Sequence, residues 1–120
     1  MTRKMVVTIV GWVFLVVGIL GFVPQAVPDG NLLGLFPVDT IHNVLHLLIG
    51  AIGIATSRQM GLAPKPYCQI FGVVFIVLAI LGLVLEGGML GPIHLGGNDV
   101  YLHAVVGLLL AYYGFVHKEM

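Results

Sequence analysis

"FPVDTIHNVLHLLIG", residues 36–50, sets His42, Asn43 and His46 into the start of a run that otherwise reads as a hydrophobic helix. Asp39 and Thr40 are residues that favour a helix start, so the helix is expected to begin there. From Thr40 to Ser57 no Lys, Arg, Asp or Glu interrupts it. At a rise of about 1.5 Å per residue, such a segment reaches roughly 25 to 30 Å, about one hydrocarbon thickness. Each unpaired polar group at that depth costs free energy, so the two histidines and the asparagine need partners.

Three further apolar segments, 5–23, 67–85 and 100–116, have the same character. The first follows a basic start, but its length exceeds the roughly 7 to 15 residues of a signal-peptide core, and it reads as a retained span. Between the segments lie "PQAVPDGNLLGLFPVD" (24–39), "RQMGLAPKP" (58–66) and "EGGMLGPIHLGGND" (86–99), whose Pro and Gly end helices and make turns. The third is expected to be a flexible glycine-rich loop with His94 as its chemical handle. Apolar residues make up 59% of the 120, and only 8% are charged, against roughly 25% in soluble domains. That balance defines a membrane protein, and the net charge of zero gives no footprint for nucleic acid. The single cysteine, Cys68, cannot form an internal disulfide and reads as helix filler.

Arg3, Lys4, Arg58, Lys65 and Lys118 flank the chain ends and the middle loop, whereas the first and third loops hold no Lys or Arg. The positive-inside bias therefore places both termini in the cytoplasm. His42, His46, His94, His103, Asp99 and Glu86 then fall toward the outer side, with His117 and Glu119 inside. Tyr67, Tyr112 and Tyr113 fit an inner aromatic belt, and Trp12 reads as packing or lipid contact.

The sequence also repeats. "VGWVFLVVGILGFV" from Val10 aligns with "FGVVFIVLAILGLV" from Phe71, pairing Gly11 with Gly72, Phe14 with Phe75 and Gly21 with Gly82. "HNVLHLLIG" from His42 aligns with "DVYLHAVVG" from Asp99, pairing His46 with His103, Gly50 with Gly107 and His42 with Asp99. The expected architecture is all-α: one integral membrane domain over 1–120, a four-helix transmembrane bundle of two tandem helical hairpins, about 5–57 and 67–116. Crossing twice each, the copies share one orientation about an axis along the membrane normal. On α-helices His42, His46, Gly50 and Gly53 share one face, as do Asp99, His103, Gly107, Ala111 and Gly114. Small residues mark helix contacts, so both stripes should face protein. Gly72, Ala79 and Glu86, seven apart, should form a third such stripe.

Around "LLGLFPVDTIHNVLHLLIGAIGIATS", residues 32–57, the chain resembles a bacterial membrane family, domain of unknown function 4383. The resemblance rests on an FPV segment followed by His-Asn-x-x-His and on an acidic residue four places before a histidine, here His42, Asn43, His46, Asp99 and His103. It covers nearly the whole chain, 10–115, and implies a four-helix protein of the bacterial inner membrane with no established activity. Asp39 stands where the family usually has asparagine, and Val100 where asparagine often follows the acid.

Three readings of the polar cluster follow. In the first, Asn43, His42, His46, Asp99 and His103 hydrogen-bond across helices, Asp99 caps the fourth helix, and Asp39 or Thr40 caps the second. In the second, His42, His46, Asp99 and His103 hold zinc or another transition metal, with Asn43, Glu86, His94 and Tyr101 around them as orienting partners. In the third, His46 and His103 are axial ligands of haem or another tetrapyrrole, with Gly50 and Gly107 leaving room for a flat ring, although no outer arginine is present for propionates. Catalysis finds little footing: Glu86 is the one candidate general base, neither HExxH nor GxSxG occurs, and Ser57 is the lone serine. The leading expectation is a small non-enzymatic structural or accessory membrane protein in the lipid bilayer, associating with itself or with other membrane subunits. Metal or tetrapyrrole binding is the alternative.

Overall fold

The computed structural model describes residues 1–118, so Glu119 lies outside the described residues. Four long helices follow one another: α1 Arg3–Leu20, α2 Thr40–Ser57, α3 Pro64–Val84 and α4 Asn98–Ala111, the last prolonged by π-type turns over Tyr112–Val116. Each is long and apolar enough to cross a membrane, as expected. The hydroxyl of Thr2 accepts the Met5 N–H at 3.1 Å and starts α1. That helix stops at Leu20 rather than at Val23, because Pro24 holds Val23 extended (φ −94°, ψ 112°) and the chain turns at Gly21. Pro64 opens α3, where a missing N–H costs nothing, three residues before the expected start.

The two loops at the end away from the termini differ from the expectation of plain turns. Asn31–Leu32 (β1) pairs antiparallel with Phe36–Pro37 (β2), and Met89–Leu90 (β3) with Ile93–His94 (β4). Two-residue strands leave no alternation to read in the sequence. The chain reverses between β1 and β2 through Leu33 and Gly34 at positive φ (54° and 74°). Each small hairpin leans onto the other half of the molecule: β2 contacts α4, and β4 contacts α2.

The helices pair as α1 with α2 and α3 with α4. Close approach at glycines explains both pairs, and it repeats in register. A Cβ on Gly50 would lie 2.4 Å from the Leu15 nitrogen, and one on Gly107 would lie 2.8 Å from the nitrogen of Ile76, the counterpart of Leu15. Backbones this close gain dispersion contacts that lipid tails cannot supply. The expected stripes of α2 and α4 are buried at His42, His46, Gly50, Gly53, Asp99, His103 and Gly107.

The two hairpins meet at Phe14 and Phe75, repeat partners whose rings stack with centroids 5.1 Å apart. Val6, Val7, Val10, Cys68 and Leu110 complete this core. Tyr67 belongs to it as well and not to an interfacial belt: it is fully buried, and its hydroxyl donates to the Ile49 carbonyl at 3.0 Å. Beyond the spans' polar ends, Arg3 donates to the carbonyls of Tyr113 and His117, satisfying end groups of α4. Ile9, Trp12, Val16, Ile70, Val73 and Ile80 point outward, as lipid-facing side chains do.

Candidate functional site

Asp39 fixes the start of α2. Its Oδ1 accepts the His42 N–H at 2.8 Å, and its Oδ2 accepts the His94 N–H at 3.4 Å, so one carboxylate caps α2 and ties β4 to it. Set by that cap, His42 lies one turn before His46 on the same face, and their Nε2 atoms stand 2.9 Å apart. His103 arrives from α4 and lies nearly parallel to His42, with ring centroids 5.9 Å apart. Phenylalanines wall the group: Phe14 packs on His46 at 5.0 Å and Phe75 on His103 at 5.5 Å.

One potential ligand nitrogen from each of His42, His46 and His103 lies within 4.8 Å of the others. All three residues are at most 3% exposed. The Nδ1 atoms of all three are buried without a hydrogen-bond partner. In a neutral His42–His46 pair one Nε2 donates and the other accepts, so neither Nε2 is left over for His103. A cation at the convergence point would accept all three lone pairs together.

Asp99 is placed beside this trio rather than in it. Its carboxylate is buried, both oxygens lack partners, and it lines with His46 a second, smaller cavity of ≈90 Å³. It does not cap α4: Gly97 occupies the cap position (φ 65°), and Asp99 sits inside the first turn, where the helix dipole favours a carboxylate. Asn43 is buried and donates to the Gly21 carbonyl at 2.9 Å, stapling α2 to the end of α1. Its repeat counterpart Val100 lies against Gly82, the counterpart of Gly21. A methyl-bearing side chain thus covers the same glycine that an amide covers in the first hairpin.

Of the remaining expected residues, Glu86 and Tyr101 fall away from the cluster, whereas His94 stays beside His42. Glu86 is exposed, because α3 ends at Val84 and extended Leu85 breaks the seven-residue register that would have carried it inward. Tyr101 is 72% exposed and faces outward, so its hydroxyl does not serve the site. His94 is half-buried and contributes through its backbone N–H to Asp39. Gly50 and Gly107 do not open space for a flat ring, since the backbones of Leu15 and Ile76 fill the positions beside them. Phe14, Phe75 and the bridging role of Asp39 were not anticipated. The repeat alignment had paired the two phenylalanines, and that equivalence was the available signal.

Four apolar spans around a buried trio of imidazoles define a small four-helix membrane protein with a polar centre near one end. The chain belongs to the family described as Domain of unknown function (DUF4383), whose model matches residues 4–116. This agrees with the resemblance carried by the His-Asn-x-x-His motif. No curated protein and no solved structure matches the chain.

Proposed function

We propose that this membrane protein holds one transition-metal ion, of the zinc class, on His42, His46 and His103. The supporting observation is the convergence of three buried imidazoles whose ligand atoms lie within 4.8 Å of one another. Nitrogens bound tetrahedrally at the usual zinc–nitrogen distance of about 2.0 to 2.1 Å stand about 3.3 Å apart. The present spacings bracket that value, so small rotamer changes suffice to close the site. Asp99, facing His46 from the smaller cavity, suits an acceptor for the His46 Nδ1–H better than a fourth ligand. Zinc and copper(II) are both compatible with imidazole donors.

A tetrapyrrole fits less well, because the glycines beside His46 and His103 are occupied by neighbouring backbone. The basic residues Arg3, Lys4, Arg58, Lys65 and Lys118 lie at the helix ends opposite the small hairpins. With the positive-inside bias they support cytoplasmic termini in the bacterial inner membrane and a metal site toward the outer side.

Elemental analysis of protein purified in mild detergent after zinc loading tests the reading. About one zinc per chain is expected, lost in His46→Ala and in His103→Ala and retained in His117→Ala. Absence of zinc in the wild type, or equal retention in all variants, overturns it. Metal-free protein that copurifies with other membrane subunits would instead fit the structural or accessory role.

A further inference from the structure

The duplication creates two equivalent clefts, and the structure leaves only one of them wide. The small cavity beside Asp99 is lined by Val17, Val38, His46 and Leu102. Their repeat counterparts Leu78, Leu95, His103 and Leu45 line a cavity of ≈430 Å³ between α2 and α3, roofed by the β3–β4 hairpin. On the side of the first cleft, the Arg3 hydrogen bonds to the carbonyls of Tyr113 and His117 tie α1 to the end of α4. On the α2–α3 side the Tyr67 hydroxyl bonds the Ile49 carbonyl at the foot of the cleft, and above it Leu45, Leu48, Ile52 and Val74 at the cavity edge are each more than a third exposed on the lipid-facing surface.

We infer that the wide cleft binds a neutral, lipid-borne ring of the quinone class, its oxygen at the imidazoles of His42, His46 and His103 and its tail leaving between α2 and α3. The volume falls within the roughly 300 to 1,000 Å³ typical of small-molecule sites. The walls are aliphatic and aromatic, with Phe71 and Phe75 among them, and among the described residues the polar side chains lining it are the three histidines. No Lys, Arg, Asp or Glu lines it, so a phosphate, carboxylate or ammonium head would enter without a counter-charge. A neutral imidazole donates to a carbonyl through N–H and accepts from a hydroxyl through its bare nitrogen, which matches both the quinone and the quinol form. The Nδ1 atoms of His42 and His103 have no hydrogen-bond partner within the protein, so these two rings keep capacity for a ligand. Entry from the bilayer requires no path through water, because the cleft opens sideways. This goes beyond the metal reading: the imidazoles suffice as hydrogen-bonding groups without an ion.

Calorimetric titration of decyl-benzoquinone into the full chain in lipid nanodiscs, after chelator treatment, tests it. The chelated wild type should bind the quinone saturably, and decylbenzene, which has the tail and ring but no oxygens, about tenfold more weakly, as expected for one lost hydrogen bond. Val74→Trp, which fills the cleft mouth, should abolish binding, whereas Val73→Trp, one residue away on the outer face and not lining the cleft, should leave it unchanged. Equal affinity for decylbenzene, no quinone binding to the chelated wild type, or equal effects of the two tryptophans overturns the proposal. Zinc stoichiometry measured on the same preparations before chelation reports separately on the metal site, and zinc binding there without quinone binding after chelation refutes the cleft alone.

Discussion

Gly50→Ala should damage this protein more than Gly107→Ala, although both glycines occupy the same place in the repeat. A Cβ at Gly50 would lie 2.4 Å from the Leu15 nitrogen, 2.7 Å from the Gly11 oxygen and 2.8 Å from the Leu15 Cα, all of them backbone atoms. Ordinary contact begins at 3.4 Å, so α1 has to retreat by about 1 Å along this seam. At Gly107 the nearest atom is the Ile76 nitrogen at 2.8 Å, and about 0.6 Å of retreat restores contact. A gap of 0.5 to 1 Å forfeits about a quarter to a half of each dispersion contact across it. Overpacking of this kind costs about 1 to 3 kcal/mol, with Gly50→Ala near the top of that range and Gly107→Ala near the bottom. The retreat also draws Phe14, next to Leu15, away from His46, so zinc affinity should fall along with stability in Gly50→Ala. Reversible unfolding in mixed detergent micelles measures the loss, with Ala51→Val on the exposed face of α2 as a control expected within about 0.5 kcal/mol of wild type. Gly50→Ala as stable as the control, or less harmful than Gly107→Ala, would refute the close-approach account of the hairpins.

Removing the Asp39 carboxylate in Asp39→Ala should cost about 0.5 to 2 kcal/mol of stability by unfolding titration, and Asp39→Asn, which keeps the capping oxygen, should recover most of it. Tyr67→Phe, which removes the hydroxyl bonded to the Ile49 carbonyl, should cost about 0.5 to 1.5 kcal/mol in the same assay without changing zinc stoichiometry. Zinc occupancy followed by equilibrium dialysis should fall as pH is lowered, because protons compete for the imidazole lone pairs, and occupancy independent of pH would count against histidine ligands. Asp99→Asn should weaken zinc retention by about 10- to 100-fold while leaving one site per chain, whereas complete loss of the site would make Asp99 a direct ligand.

Spans and pairing were legible because they are written in composition and spacing. Four uncharged runs of bilayer length, separated by Pro and Gly, admit few alternatives, and the alignment of His46 with His103 gives the order in which helices meet. The positions of Asp39 and of the small-residue stripes followed from capping chemistry and from the 3.6-residue period, both of which act locally. What local rules could not supply is where a helix stops relative to a register. Glu86 falls seven residues after Ala79, yet the helix ends at Val84 and the register ends with it. Tyr101 is close in sequence to Asp99 and His103, but two residues along a helix turn a side chain by about 200°, onto the outward face. Tyr67 looked like a belt residue because a tyrosine near a span end usually is one. Its burial depends on Gly53 of another helix making room beside it, and that is a tertiary fact.

The site exists because the repeat is imperfect. An axis that relates Phe14 to Phe75 and His46 to His103 should also relate what lies beside each histidine. His42 stands over His103, and its counterpart Asp99 shares the small cavity with His46. Were position 99 a histidine, two equivalent clusters of imidazoles would flank the stacked phenylalanines. Had position 42 been an aspartate, neither side would gather three nitrogens. The exchange of one imidazole for one carboxylate makes the flanks chemically unlike: three histidines line the wide cleft, and one carboxylate shares the narrow one with His46. Restoring symmetry with Asp99→His should therefore leave the first cluster in place and add a histidine beside His46 in a space of only ≈90 Å³. An imidazole there competes with the first cluster for His46, so the variant should bind zinc more weakly than the wild type and not at twice the stoichiometry. Two zinc ions per chain in Asp99→His would show that the two flanks are interchangeable and that the asymmetry has no bearing on where the ligand sits.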